Sequence, residues 1–345
     1  MTETSAENVW TGLPVGKLPP ALLARLLDQY TISDPRVVVG PRIGEDTTAI
    51  DFGDRYLLAK TDPITFVAED VGYYAINVNA NDIACSGGEP KWFLATVLLP
   101  EGKTDESLVE KVFQQLHDAC AQLGVAFCGG HTEVTYGLDR PIVVGSMLGE
   151  VSKDRLVTTG GASVGDDLIL TKGIAIEAAS IIAREKADYL AATFSEELVN
   201  RARNFLRDPG ISVLRDARVA TQAGEVHAMH DPTEGGLATG VHELADAAGV
   251  GVRVWFDRIP MLPEAKLLCD EFGLDPLGAI ASGALLIAVA PETSEQVVRA
   301  LKEAGIRAAV IGKIVPSEEG RVLVFEEQEV PLPRYDQDEI AKLFG

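Results

Sequence analysis

Residues 77–88 read Asn77-Val78-Asn79-Ala80-Asn81-Asp82-Ile83-Ala84-Cys85-Ser86-Gly87-Gly88. Small apolar residues alternate here with amides and one carboxylate, closing on a Ser-Gly-Gly stop. The spacing predicts a helix over 70–85. Asn and Asp compete for backbone hydrogen bonds and are poor helix-interior residues. Burying Asp82 in so apolar a segment costs several kcal/mol, on the order of an uncompensated ion, unless something offsets it. A metal or a base accounts for it better than a helix cap.

Outward from this segment the chain alternates strands and helices. Upstream, Ala21–Leu27 has helical spacing and Tyr56–Lys60 reads as a strand. Thr61-Asp62-Pro63 follows, so Asp62 is expected at a strand end. Downstream, Phe93–Leu99 reads as a strand. Asp105–Leu123 is an amphipathic helix with Leu108, Val112, Leu116, Ala119 and Leu123 on one face. Val125–Cys128 is expected to be a short strand opening into the loop Gly129-Gly130-His131-Thr132-Glu133, and Ile142–Val151 a longer one. After a linker at Thr158–Ser163 the pattern resumes. Val226–His230 is a strand followed by Asp231-Pro232-Thr233-Glu234-Gly235-Gly236, which opens a helix marked by Leu237, Val241, Leu244 and Ala248. The expected organisation is an arm at 1–19, α/β domains at 20–157 and 158–330, and a tail at 331–345.

The chain has 345 residues, 46% hydrophobic and 24% charged, enough to bury a core without disulfides or structural metals. Its formal charge of −22 opposes nucleic acids and anionic membranes. The four cysteines, Cys85, Cys120, Cys128 and Cys269, form no CxxC pair and suggest neither a zinc site nor a disulfide framework. Without a signal-like N-terminus or an apolar run near 18 residues, a cytoplasmic protein is expected.

Acidic and glycine-rich clusters carry the chemistry. Gly44-Glu45-Asp46 places adjacent carboxylates at a turn, either as a solvated turn or as a cation site. Lys60-Thr61-Asp62 suits Mg²⁺, which takes oxygen ligands and few protein carboxylates, although Asp-Pro also initiates simple turns. Glycines 129 and 130 would let backbone amides approach a phosphate. His131 or Glu133 is a candidate acid/base, against the alternative of a packed or solvated histidine. Asp231–Gly236 opens a helix whose amides favour an anion; Asp231 or Thr233 could equally cap it. P-loop, Rossmann and nucleophile-elbow patterns are absent.

In this order the segments resemble the aminoimidazole ribonucleotide synthetase (AIR synthase) superfamily, from about Leu18 to Val330. The hydrogenase maturation branch, HypE, is the most similar, through Gly16–Pro20 and the Gly-Gly-His-Thr-Glu block. The resemblance implies an N-terminal α/β sheet domain that forms a homodimer, a C-terminal α+β domain, and ATP with Mg²⁺ in the cleft between them. It implies Mg²⁺ at Asp46, Asp62, Asp82 and Asp231. Phosphate or nucleotide contacts would come from Lys60, Thr61, Asn81, Gly129, Gly130, Thr233, Gly235 and Gly236. A small-molecule acceptor is implied. The branch ends in a cysteine that carries its reacting group, whereas no cysteine follows Cys269 here. The expectation is therefore phosphoryl transfer without that thiol chemistry. The alternative is a non-catalytic ATP-binding factor working with a maturation partner protein.

Overall fold

Alternating burial along Glu89–Pro100 and Ile142–Ser152 marks both as sheet strands with one face on a core. The computed structural model describes residues 12–13, 16–65, 67, 69–326, 328–335 and 337–344. Most of the arm expected at 1–19 lies outside these residues; Lys17 is described.

The first half runs α1 (Pro20–Tyr30), β1 (Val37–Val39), β2 (Thr48–Asp51), β3 (Arg55–Ile64), α2 (Val71–Cys85), β4 (Glu89–Pro100), α3 (Glu106–Leu123), β5 (Ala126–Thr135) and β6 (Ile142–Ser152). Its strands form one sheet in the order β1-β2-β3-β6-β4-β5. Only β4 and β5 are parallel, as the α3 crossover between them requires. Asp105 caps α3 by accepting from the Leu108 amide at 2.9 Å, and Gly124 ends it in the left-handed region. Val112, Leu116, Ala119 and Cys120 face the core.

The second half contains β7 (Asp167–Thr171), α4 (Ile176–Glu185), α5 (Ala187–Thr193), α6 (Glu196–Asn204), α7 (Leu214–Ala223), β8 (Val226–His230), α8 (Gly236–Ala248), β9 (Gly251–Trp255), α9 (Pro263–Glu271), β10 (Leu286–Val289), α10 (Pro291–Glu303), β11 (Ala308–Val315), β12 (Arg321–Phe325) and β13 (Gln328–Pro331). These strands form a second sheet, β13-β12-β9-β11-β7-β10-β8. All neighbours are antiparallel except β12 and β9. Among the described residues no helix is long and apolar enough to cross a membrane.

Almost all of α2 is buried, because it lies between the first sheet, α3 and the second half of the chain. Leu206 and Ile211 from the second half join its core. A helix covered on every side has no solvated face to mark its orientation, which is why its sequence lacks a clean apolar stripe.

Two expected boundaries are corrected. β3 continues through Asp62 and Pro63 to Ile64, so Asp62 sits within a strand. β2 reaches only Ala59, leaving β3 paired with β6 alone beyond it, and proline is tolerated on such a half-paired stretch. The expected loop at Gly129–Glu133 is strand: β5 extends to Thr135 along β4. The pairing skips Cys128 as Phe93 and Leu94 face Phe127 and Gly129, an irregularity of the bulge kind. A Cβ on Gly130 would lie 1.9 Å from the Ala95 carbonyl, so strand packing alone requires that glycine.

Candidate functional site

Four chain segments deliver carboxylates to one place. The pleat of β3 puts Lys60 and Asp62 on one face and Thr61 on the other. Thr61 accordingly turns away and donates to the Gly145 carbonyl at 2.7 Å. One turn apart on α2, Asp82 and Cys85 share a helix face. β8 ends in His230, and Asp231 follows it directly. The Gly44–Thr47 loop brings Asp46 across from the first half. At Gly44, φ is +82°, and a Cβ there would lie 2.8 Å from the Glu243 carbonyl on α8, so the loop can seat only with glycine.

The Lys60 Nζ lies 3.3 Å from both Asp62 and Asp82. His230 bridges two acids: its Nδ1 is 2.9 Å from Asp46 and its Nε2 is 2.9 Å from Glu243. Thr159 donates to Asp46 at 3.2 Å, and Lys17 lies 3.4 Å from Glu243. The Cys85 thiol donates to Asp231 Oδ1 at 3.4 Å.

Burial and mutual repulsion set the protonation. Burial, then Asp231, Asp62 and Asp46, push Asp82 well above the usual carboxylate range, opposed by Lys60. Burial and Asp46 raise Asp231 to about 7, opposed by His230 and Lys60. For His230 burial opposes the charge, but Asp46 and Glu243 outweigh it and hold the imidazole well above its ordinary value. Burial also opposes ionisation of Glu243, yet His230 and Lys17 bring it down to about 2. Burial and the surrounding aspartates raise Cys85 far up, so it stays a thiol and a donor.

A divalent cation fits this donor set. Asp46, Cys85 and Asp231 place one ligand atom each within 4.8 Å of one another. Asp82 Oδ2 and Asp231 Oδ2 are buried without a hydrogen-bond partner. Orphaned oxygens on buried carboxylates held at raised pKa values are what a hard cation satisfies, since its charge reverses the local repulsion.

Other residues singled out in the sequence land elsewhere. Asn81 lies on α2 beside Asp82, but both ends of its amide hold residues 211–213: it donates to the Ile211 carbonyl and accepts from the Val213 amide, each at 2.8 Å. Asn79 positions Asp62 by accepting from its amide at 2.9 Å. The Thr233 carbonyl accepts from Gly236 and Ala281. The Gly235 amide donates to Asp338 Oδ2 at 2.6 Å, so the tail supplies the anion at the start of α8. Gly129, Gly130, His131 and Glu133 lie on the exposed edge strand β5, where His131 Nε2 is 3.2 Å from Glu133.

Sequence reasoning missed His230, Glu243, Lys17, Thr159 and Cys85. A histidine directly before Asp231 at a strand end was a signal for the first, and an acid amid the apolar positions of α8 for the second. Lys17 and Thr159 carried none, since only the fold brings them in.

Residues 44–151 match the N-terminal domain of AIR synthase related proteins, and residues 163–325 match the C-terminal domain. The chain belongs to the AIR synthase related family. Within that family it is 31% identical to the selenide, water dikinase of Pelobacter propionicus, covering 94% of this chain and 100% of the relative. The crystal structure of a HypE–HypF complex superposes with a TM-score of 0.74 at 20% identity, over 92% of this chain and 100% of the other. A hydrogenase maturation protein HypE in complex with ATP gives a TM-score of 0.70 at 22% identity, over 91% of each chain. These structural likenesses establish the two-domain α/β fold.

Proposed function

We propose that this protein is a Mg²⁺- and ATP-dependent enzyme that activates a small acceptor by phosphoryl transfer. The observation that carries this is that Asp46 and Asp231 come within 4.8 Å of each other while Lys60 joins Asp62 and Asp82 beside them, with two buried carboxylate oxygens left unpartnered. Those aspartates would hold magnesium, which when bound neutralises polyphosphate charge and orients the terminal phosphate. Lys60, freed from Asp62 and Asp82, is placed to contact a phosphate oxygen. His230 fixes Asp46 from behind through its Nδ1. The Asn79 amide holds the backbone of Asp62. An ATP complex is known for a protein of the same fold, in keeping with this reading. In this reading an oxygen of the acceptor attacks the terminal phosphate; the buried thiols of Cys85, Cys120 and Cys269 are held protonated and are not the nucleophile.

The working unit in this proposal is a homodimer with the domain limits expected from the sequence. β5 is a ten-residue edge strand with eight residues exposed, Val134 among them, next to the exposed Trp92, Leu94 and Tyr136, and such an edge invites pairing. His131, Glu133, Gly129 and Gly130 would then lie at the contact between copies. A second reading, an ATP-binding factor that turns over only with a partner protein, is favoured by the HypE–HypF complex of the same fold.

The test is binding of Mg·AMPPNP and ³¹P-detected ATP turnover against an acceptor panel, with Asp82→Asn as control. We expect the substitution to lower turnover by about a hundredfold or more, the loss typical of a group aimed at transition-state charge. Equal nucleotide affinity and equal turnover in both proteins would sink the assignment. Tight binding with turnover only on adding a partner would favour the second reading.

A further inference from the structure

One sulfur stands among the oxygens of the carboxylate cluster, and Mg²⁺ chemistry has no use for it. Cys85 is 2% exposed, one turn after Asp82 on the same face of α2. A buried cysteine is ordinarily a small apolar side chain. Here its Sγ lies 3.4 Å from Asp231 Oδ1, and Asp46, Cys85 and Asp231 each bring one ligand atom within 4.8 Å of the other two. Asp231, 3% exposed, keeps its second oxygen buried without a hydrogen-bond partner. The three residues come from the loop before β2, from α2 and from the segment after β8, so no sequence spacing marks the group.

The dimensions are those of a three-ligand tetrahedral site. Around zinc, a sulfur at about 2.3 Å and an oxygen at about 2.0 Å stand about 3.5 Å apart at the tetrahedral angle. The 3.4 Å between Cys85 Sγ and Asp231 Oδ1 is already close to that edge. Asp46 is braced from outside the group: His230 Nδ1 at 2.9 Å and the Thr159 hydroxyl at 3.2 Å both bond its Oδ2. Partners of this kind orient a ligating carboxylate. An ion has a way in, because Lys60, 3.3 Å from Asp82, and Asp62 beside it are partly exposed.

We propose that Asp46, Cys85 and Asp231 form a site for a thiophilic divalent cation of the zinc class, with the Cys85 sulfur as the ligand that selects it over Mg²⁺. Mg²⁺ demands oxygen ligands in near-octahedral array, whereas zinc accepts thiolate together with carboxylate in a tetrahedral one. As the metal–sulfur bond forms, the thiol proton leaves to solvent and the sulfur binds as thiolate. A fourth ligand would come from water or substrate. Asp62 and Asp82 offer oxygen alone and remain for the Mg²⁺ of the function proposed above.

That this cation serves phosphoryl transfer rests on that function; its binding does not. The probes are Cd²⁺ and Co²⁺ alone, added to the full chain carrying Cys128→Ser, which removes the exposed thiol on β5. We expect a sulfur-to-metal charge-transfer band with either ion, retained in excess Mg²⁺. Cys85→Ala in the same background should abolish the band and weaken Cd²⁺ about a hundredfold, the share of one ligand in a site of this kind. Cys85→Ser, which keeps the side chain's size, should also abolish the band, and it serves if alanine unsettles the core. No band in the parent, a band that survives both Cys85 substitutions, or displacement of Cd²⁺ by an equal concentration of Mg²⁺ would overturn the proposal. Mg·AMPPNP affinity, read in parallel, separates the two claims. Nucleotide binding without a band sinks the thiophilic site alone, and a band without nucleotide binding sinks the phosphoryl-transfer reading alone.

Discussion

Replacing Lys60 by methionine isolates the electrostatics of the carboxylate cluster. Its Nζ lies 3.3 Å from a carboxylate on each side. At an effective dielectric of about 20, one such pair attracts by about 5 kcal/mol. Desolvation of the ammonium offsets much of this, and the Asp62 side chain, a third exposed, contributes the smaller share. Asp82 is buried, and removing the partner of a buried charge costs about 3–5 kcal/mol. For a chain of this length that is a fall in Tm of about 4–7 °C.

The sign of the pH dependence follows from the same residues. Asp82 titrates above its unfolded value, so its contribution to stability falls as pH rises from about 4 towards the folded value. Removing Lys60 raises that value further, whereas the stabilisation lost with Lys60 itself is constant below about pH 10. The deficit of Lys60→Met against wild type should widen once pH rises past the raised folded value of Asp82 in the wild-type protein. Calorimetric scans in EDTA measure it. Adding Mg²⁺ should then stabilise the variant more than wild type, because the cation replaces the lost ammonium. A pH-independent deficit, or no response of either protein to Mg²⁺, would refute this account.

His230→Gln should cost about 1–3 kcal/mol through loss of charged hydrogen bonds to Asp46 and Glu243. Because the folded value of His230 is raised, that loss should be complete below about pH 6.5 and shrink as pH climbs through the folded value, read from metal-free melts. Asn81→Ala leaves the Ile211 carbonyl and the Val213 amide without partners and should cost about 2–4 kcal/mol, seen as a lower Tm and faster proteolysis at 206–213.

Much of the fold was legible because its strands and helices have distinct periods. The α3 face, the β6 alternation and the strand before Asp231 all follow from spacing. The extent of β3 and β5 was not legible, because proline and glycine ordinarily end strands and only the neighbouring strands decide otherwise. Asn81 shows the same limit at the site: burial was readable from its apolar neighbours, but the partner that satisfies it lies about 130 residues on.

Local pattern alone placed Asp46 at a glycine turn, Asp82 inside a helix of small residues and Asp231 just past a strand, and it misplaced Asp62 at a strand end. That they meet, that Lys60 and His230 hold their charges, and that Gly129–Glu133 lies on an open edge follow from folding alone. The reason is range: periodicity and turn chemistry act over a few residues, whereas the field at a buried carboxylate is set by groups that folding gathers from the whole chain.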